Sequence, residues 1–264
     1  MSNLLPDLLG ARSGIVCAIG AGGKKSTLYK IANAHDGPLA ITTTVFCSHF
    51  PDDLNLMTII GEGDSLASRL SALGQTHRRI GYAGPSSKPG RNAGVDPSLI
   101  RLVHQQTGRA LTLVKADGAR MRWLKAPKAG EPVIPDGCTT VIPVLSARAL
   151  GQPMSARIAH RPERVAAVMG IGDADIVSPI HLARLLSADD GLLRGLRRSH
   201  GPSDSHGKDQ PQVVPLINMV DNSATEKLAR EAATAALEMT DRFDRVVLAC
   251  MRSDDNPVVA VLER

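Results

Sequence analysis

The sequence predicts an α/β fold: a doubly wound, mainly parallel sheet with helices on both faces and a small helical cap. Two observations favour it. Short apolar runs recur without polar alternation, as in strands that are covered on both faces. Between several of them lie segments with helical periodicity and start signals. With 264 residues, 43% of them hydrophobic, the chain can form one large domain over residues 1–264.

Continuous apolar runs mark the predicted strands, and the last two lie close enough together to form a hairpin at one edge of the sheet. The runs are GIVCAIG (14–20), PLAITTT (38–44), ALTLVKAD (110–117), TTVIPVL (139–145), QVVPLINMVD (212–221), RVVLACM (245–251) and PVVAVLE (257–263).

Helix starts are signalled by capping residues and by proline in the first turn. The signals are Asp96–Pro97, Ser178–Pro179 and a capping box formed by Ser223 and Glu226. The segment 151–198 is mostly helical in pattern and is predicted to form the cap. Segments 84–97 and 199–212 are rich in Gly, Pro, Ser and charge, which is typical of flexible loops.

Composition excludes several classes of partner and site. The four cysteines are scattered without a CxxC pair, so neither a zinc site nor a disulfide framework is indicated. Aromatic residues make up only 2%, which argues against a nucleic-acid partner even though the net charge is +5. No signal peptide or membrane-length apolar stretch is evident. We therefore expect a cytoplasmic protein with no membrane partner.

The segment GAGGKKST follows the first predicted strand and has the glycines, lysine and hydroxyls of a phosphate-binding loop (P-loop). Amides at a helix N-terminus bind phosphate, and the lysine reaches the outer phosphates. In the standard G-x-x-x-x-G-K-[ST] pattern, Ala18 would be a glycine and Lys25 a hydroxyl residue. The alternative is a glycine-rich turn without a ligand. The nucleotide-binding candidates are Gly20, Ala21, Gly22, Gly23, Lys24, Lys25, Ser26 and Thr27, with a helix predicted to begin near Ser26.

Asp117 ends an apolar strand, where a Walker-B-type aspartate would hold Mg²⁺. The alternative is a turn or N-cap aspartate. Lys24 and Asp117 are the candidate catalytic residues. Ser26 is the second candidate metal ligand, with Thr27 in its place if the helix starts one residue late. Thr43 lies in the run TTT (42–44), which would face a γ-phosphate or its metal, or else consists of ordinary β-formers.

The motif NMVD resembles the guanine-reading N-K-x-D motif of GTPases, with Asn218 and Asp221 as base-binding candidates. Met219 stands in place of the lysine, and a thioether stem can still cover a base. The alternative is a strand-end turn that leads into the next helix. Both ATP and GTP remain candidate ligands, with guanine slightly favoured over adenine because the aspartate is the acceptor that distinguishes guanine.

A longer block, KADGARMRWLKAPKAGEPVIP (115–135), resembles the selenium-dependent molybdenum hydroxylase accessory proteins, a YqeC-like family of P-loop NTP-binding proteins. TTT, RALGQPM (148–154), HRPE (160–163) and VVPLINMVD (213–221) match in the same order. The resemblance implies a P-loop NTPase-like fold and a role in maturing molybdenum-cofactor hydroxylases, with the hydroxylase or its cofactor-maturation proteins as partners. Within this block, Arg120, Lys125 and Glu131 are candidates for binding an anionic second substrate or a partner, or for a structural wrap over the sheet edge.

The chain departs from the family's pattern at Lys25, Lys115, Val45 and Met219. Because Lys25 and Lys115 add positive charge near the expected phosphates, we expect nucleotide binding to depend less on Mg²⁺ than in a standard P-loop protein. The rival explanation is decay of hydrolysis and of binding.

Three functions are compatible with these motifs. The first is an NTP-binding, NTP-hydrolysing maturation factor. The second is a scaffold that binds the molybdenum cofactor or the client enzyme without turnover. The third is a P-loop small-molecule kinase, for which no clear catalytic base is present.

Overall fold

The structure is a computed structural model that describes residues 4–74, 76–196, 210–253 and 256–264. The predicted loop at 199–212 therefore lies outside the described residues except for its last three positions. Strands are found at all seven predicted runs. The strands are β1 (Gly14–Gly20), β2 (Leu39–Thr43), β3 (Cys47–Ser48), β4 (Met57–Ile60), β5 (Arg79–Ala83), β6 (Arg91–Asn92), β7 (Leu111–Lys115), β8 (Leu124–Lys125), β9 (Cys138–Ser146), β10 (Ala159–His160), β11 (Gln212–Val213), β12 (Leu216–Asn218), β13 (Arg245–Ala249) and β14 (Val258–Glu263).

The helices alternate with these strands for most of the chain. They are α1 (Leu5–Leu8), α2 (Lys24–Asn33), α3 (Gly63–Gly74), α4 (Pro97–Gln106), α5 (Pro162–Met169), α6 (Pro179–Ser187) and α7 (Ser223–Met239). In the described ranges, none of them has both the length and the apolar character needed to cross a membrane.

One large sheet forms the centre of the described structure. Nine of its ten strands follow the order β14-β13-β12-β9-β1-β7-β2-β5-β4, and the tenth, β11, pairs with β9 beside this path. All pairings are parallel except that of β13 with β14. The predicted doubly wound sheet and its edge hairpin are therefore confirmed. β1 lies between β9 and β7, so the chain segment that follows β1 emerges near the middle of the sheet.

Helices cover both faces of the sheet, which explains why β1 is a continuous apolar run. Val16 and Ala18 pack on one face in a core that includes residues of α2. Ile15, Cys17 and Ile19 pack on the other face with residues of α3 and α4. Because successive side chains of a strand point to opposite faces, a strand covered on both sides needs apolar residues at every position.

Two of the three helix starts agree with their sequence signals. Asp96 caps α4 by accepting a hydrogen bond from the Ser98 amide at 2.8 Å. At α6, the Ser178 amide donates to His181 Nδ1 at 3.1 Å. The predicted capping box of Ser223 and Glu226 is wrong by one residue. Asn222 is the N-cap of α7, because its Oδ1 accepts from the Thr225 amide at 2.9 Å.

The segment 151–198 contributes α5, α6 and the short strand β10, which pairs in parallel with β8. α5, α6 and α7 share one hydrophobic core with β8 and with one face of β12 and β13. Residues 84–97 include β6, which pairs antiparallel with β3, and a bridge between Gly84 and Ala93. Residues 84–97 therefore follow the carboxyl end of β5 and pair with the segment that follows β2.

Candidate phosphate-binding site

The predicted site residues lie at one edge of the sheet, where parallel strands end. Gly20 ends β1, Asp117 follows the neighbouring strand β7, Thr43 ends β2 and Asn218 ends β12. In open α/β sheets, ligands bind in the crevice outside the carboxyl ends of the strands. The fold therefore brings together candidates that are about two hundred residues apart in the sequence.

The loop after β1 leads directly into α2. The helix begins at Lys24 with Gly23 as its N-cap, so the predicted start near Ser26 is wrong by two residues. The tight turn explains the difference, because Thr27 N already donates to Gly23 O at 2.9 Å. Among the described residues, the amides of residues 23–26 have no hydrogen-bond acceptor, which leaves them available to an anion.

Two glycines fix the shape of the loop. Gly20 has φ +88°, and a Cβ there would lie 2.2 Å from the carbonyl oxygen of Val144. Gly23 has φ +133°, and a Cβ there would lie 2.1 Å from Asn218 Nδ2. Any other residue would clash and would adopt a strained backbone conformation. The loop therefore requires glycine for its close approach to β9 and β12.

Lys24 and Asp117 form the centre of the site. Lys24 Nζ lies 2.8 Å from Asp117 Oδ1 and also donates to the Gly20 carbonyl. Gly20 N donates to Asp117 Oδ2 at 2.9 Å. Both side chains are almost fully buried, at 5% and 1% exposure. The loop thus faces the carboxylate at 117, and its lysine is folded back between the loop and that carboxylate.

Lys125 extends this contact into a chain of alternating charges. Its Nζ lies 2.8 Å from Asp117 Oδ2 and 2.8 Å from Glu131 Oε2. Arg161 then binds Glu131 with two nitrogen–oxygen contacts of 2.9 Å. We call Lys24, Asp117, Lys125, Glu131 and Arg161 the ion chain. It runs from the phosphate loop to the residue that precedes α5.

Burial and neighbouring charges compete along the ion chain. Burial lowers the pKa of Lys24, and the adjacent Asp117 opposes that shift. Burial alone would raise the pKa of Glu131, but hydrogen bonds from Arg161 and Lys125 outweigh it and lower the pKa to about 2. Each carboxylate is therefore held by a cation on either side, which is the arrangement that buried charges require.

Lys25 and Lys115, the two lysines that depart from the family's pattern, contact residues 46–48 rather than Asp117. Lys25 Nζ donates to Ser48 Oγ at 2.6 Å and its side chain is exposed. Lys115 Nζ donates to the Phe46 carbonyl at 3.1 Å. Burial, reinforced by the charge of Lys24, lowers the pKa of Lys115 to about 8. The cation that contacts Asp117 from outside the loop is Lys125 instead.

Most of the candidate hydroxyl groups already form hydrogen bonds with main-chain atoms. Thr27 Oγ1 donates to Gly23 O at 3.1 Å within the first turn of α2. Thr43 Oγ1 contacts the carbonyls of Lys115 and Val45 and accepts from the Val45 amide. Ser26 is exposed, and the described structure records no hydrogen bond of its side chain. Ser26 is thus the hydroxyl with the greatest freedom near the loop.

Asn218 and Asp221 play different parts in the fold. Asn218 is buried; its Nδ2 donates to Gly22 O at 2.8 Å and its Oδ1 accepts from Met251 N at 3.0 Å. Asp221 lies nearer the surface and pairs with Arg148, whose Nε and Nη2 both lie 2.6 Å from Oδ2. Asn218 therefore braces the loop, whereas Asp221 is at the rim with a cation beside it.

Of the three candidates in the 115–135 block, only Arg120 is exposed. Lys125 and Glu131 belong to the ion chain. Arg120 and Met121 both have positive φ, at 47° and 60°, and Met121 is 95% exposed. The carbonyl of Arg122 accepts from Gly22 N at 3.1 Å, which attaches this turn to the phosphate loop. An exposed turn, here called the 120–122 turn, thus projects beside the site.

Sequence reasoning assigned no role to Arg148 or Arg161. Both lie in blocks that carried the family resemblance, RALGQPM and HRPE, and that resemblance was the available signal. Their partners, Asp221 and Glu131, lie 73 and 30 residues away in the sequence, so spacing could not reveal the pairs.

Comparison with known proteins agrees with the resemblance. The family model described as YqeC protein matches residues 16–163, which include the phosphate loop and the whole ion chain. A curated relative from Escherichia coli (strain K12), named "Uncharacterized protein YqeC", is 30% identical over 192 residues. That alignment covers 70% of this chain and 72% of the relative.

Proposed function

The chain belongs to the YqeC family, and on that premise we propose that it binds ATP or GTP. We further propose that it acts in the cytoplasm as an accessory protein in the maturation of molybdenum-cofactor-dependent hydroxylases. Nucleotide state, with or without hydrolysis, would control its contact with the client. The small-molecule kinase is not retained, because no observation of the structure favours it.

One observation carries the nucleotide proposal: the loop, its lysine and the aspartate meet at the carboxyl edge of the central strands. The amides of residues 23–26 lack acceptors among the described residues, and Lys24 lies beside them with Asp117 as its counter-ion. A polyphosphate offers oxygens for those amides and a stronger partner for the ammonium. The amides of residues 23–26, with the ammonium group of Lys24, would hold the phosphates.

The base would lie on the side of β12. Asp221 would accept from a guanine, and Met219, which has φ +62°, would cover the ring. In the described structure Asp221 is paired with Arg148, so a guanine would have to displace that guanidinium. This pair is partly exposed and can exchange with solvent, which makes the displacement feasible.

The 120–122 turn is the proposed partner contact. It presents Met121 between Arg120 and Arg122, all exposed, and is attached to the phosphate loop through Gly22. An apolar side chain flanked by guanidiniums is suited to an acidic surface with an apolar centre. A molybdenum hydroxylase, or a protein that matures its cofactor, is the proposed partner.

The nucleotide proposal is tested by replacing Lys24. We expect Lys24→Met to abolish binding of ATP and GTP, measured by isothermal titration calorimetry, because the phosphates lose their ammonium. Asp117 keeps Lys125, so the variant should retain its circular dichroism spectrum. Lys227→Met, on the exposed side of α7, is the matched control and should bind as the parent does. Equal binding by Lys24→Met and the parent would refute the proposal.

A second candidate function is a scaffold that binds the client or the cofactor without nucleotide turnover. The observation that favours it is that Lys24 and Asp221 already have partners within the chain. Such a site can be stable without a ligand. This alternative predicts that a molybdenum hydroxylase is captured equally well with and without nucleotide. A pull-down that strictly requires ATP or GTP would exclude it.

A further inference from the structure

We propose that the phosphate site takes metal-free nucleotide, with Lys125 neutralising Asp117 in place of a divalent cation. This inference rests on the proposed nucleotide binding and specifies the chemical form of the ligand. The structural basis is the set of donors around Asp117, which does not fit a Mg²⁺ site.

The carboxylate of Asp117 already has two ammonium groups and one backbone amide beside it. Oδ2 accepts from Gly20 N at 2.9 Å and lies 2.8 Å from Lys125 Nζ. Oδ1 lies 2.8 Å from Lys24 Nζ. Mg²⁺ requires oxygen ligands in near-octahedral geometry, and an ammonium group on the same carboxylate repels it. The oxygen atoms of Asp117 are thus occupied by groups of the wrong sign for a metal site.

Oxygen ligands elsewhere at the site are also scarce. The position after the loop lysine holds Lys25, which donates to Ser48 instead of offering a hydroxyl. Thr27 and Thr43 donate to main-chain carbonyls. In the described ranges, no three His, Cys, Asp or Glu side chains converge on a possible metal position. Within the described part of the loop, the exposed Ser26 is a side-chain hydroxyl with no recorded hydrogen bond.

Lys125 would keep the charge of Asp117 neutralised when Lys24 binds the phosphates. When Lys24 turns toward a polyphosphate, it leaves Asp117, and a bare buried carboxylate beside a polyanion would oppose binding. Lys125 stays on Asp117 because its side chain is fully buried and is held by Glu131, which is fixed in turn by Arg161. The ion chain therefore supplies a permanent internal cation where P-loop proteins use Mg²⁺.

The test is a pair of titrations on the full chain. Fluorescent ATP and GTP analogues are titrated in buffer with excess Mg²⁺ and in buffer with EDTA. We expect dissociation constants that agree within about threefold for the nucleotide that binds, because the cation at Asp117 belongs to the protein. Binding that falls by more than about tenfold in EDTA would overturn the inference and leave the proposed function standing. Binding of neither nucleotide in either buffer would refute both.

A substitution then tests whether nucleotide binding in EDTA depends on Lys125. We expect Lys125→Met to weaken binding in EDTA by about tenfold or more, and excess Mg²⁺ to recover part of that loss. Lys128→Met is the matched control, since Lys128 is exposed in the loop that follows β8. Its loss should leave the ratio of the dissociation constants in EDTA and in Mg²⁺ unchanged. If Lys125→Met does not fold, Lys125→Met/Glu131→Gln removes the second carboxylate as well. A ratio equal to the parent's in a folded Lys125 variant would overturn the role of Lys125.

Discussion

The two carboxylates of the site, Asp117 and Asp221, are both paired with cations, yet they lie in opposite environments. Asp117 is 1% exposed and contacts two ammonium groups and a backbone amide. Asp221 is 28% exposed and contacts one guanidinium, with the Cys250 thiol 3.3 Å away. A buried charge must always have a partner of opposite charge, whereas a rim charge can exchange its partner for water or for a ligand. The comparison predicts a rigid phosphate side and an adjustable base side.

The largest expected difference between the two carboxylates is in what each contributes to the stability of the fold. Asp117→Asn leaves Lys24 and Lys125 buried without their shared carboxylate, and we expect it to lower the free energy of unfolding by about 3–5 kcal/mol. The matched change Asp221→Asn should cost less than about 1 kcal/mol, because water can replace the lost contact. Urea unfolding followed by circular dichroism measures both. Similar losses for the two variants would contradict the distinction between a buried and a rim carboxylate.

Glu131, near the outer end of the ion chain, should affect how the free energy of unfolding changes in acid. The pKa of Glu131 is about 2 in the folded protein, below its ordinary value of 4.5. Its carboxylate therefore stabilises the fold above pH 4.5, and this contribution is lost as the pH falls toward 2. We expect Glu131→Gln to lower the free energy of unfolding at neutral pH by about 2 kcal/mol.

Glu131→Gln should also lose less stability than the parent between about pH 5 and about pH 2, because this window spans the ordinary and the folded pKa of Glu131. Glu231→Gln on the exposed side of α7 is the control. Urea midpoints across this pH range measure the effect. Parallel acid profiles for the parent and Glu131→Gln would show that Glu131 is not held as a carboxylate.

The affinity for GTP should change when Arg148, the cation beside Asp221, is removed. Arg148→Ala removes the guanidinium that pairs with Asp221, so a guanine no longer has to displace it. We expect GTP affinity to rise by about two- to fivefold while ATP affinity stays unchanged, because only guanine uses this carboxylate. Competition titrations with both nucleotides measure the change. An equal change for ATP and GTP would mean that Asp221 does not contact the base.

The smallest effect should come from Lys25. Its ammonium is exposed and donates to Ser48, so Lys25→Ala should change nucleotide affinity by less than about twofold. This result would sharpen the contrast with Lys125→Met, because the two lysines have equal charge but different contacts. A loss as large as that of Lys125→Met would show that Lys25 itself binds the phosphates.

The fold was largely predictable where apolar patterns are strong. β1 has the predicted bounds, because a strand covered on both faces is apolar throughout and ends at a glycine with positive φ. β4 and β5 were missed. β4 is an edge strand in which only Ile59 is buried, so its sequence carries little apolar signal. β5 begins with Arg79 after Arg78 and contains a glycine and a tyrosine, which weakens the apolar run.

The site was predictable only in its local parts. The loop, Lys24 and Asp117 follow from strand–loop–helix patterns that lie within a few residues. The ion chain does not, because it joins side chains from β8, from the loop after it and from the start of α5. The sequence marks Lys125 as a candidate within the block 115–135, but only the packing of β8 shows that its Nζ contacts Asp117. Asn222 and Ser223 are equally good N-caps, and the backbone conformation decides between them.

Asn218 connects distant parts of the chain, and this has a practical consequence. Its amide holds Gly22 on one side and the segment after β13 on the other. The family model ends at residue 163, so Asn218 and the segment after β13 lie outside the matched region, whereas Gly22 lies inside it. A fragment cut at that boundary would keep every residue of the loop and lose what sets its curvature. Ligand assays on this chain therefore need the carboxyl-terminal third, although that part carries no phosphate motif of its own.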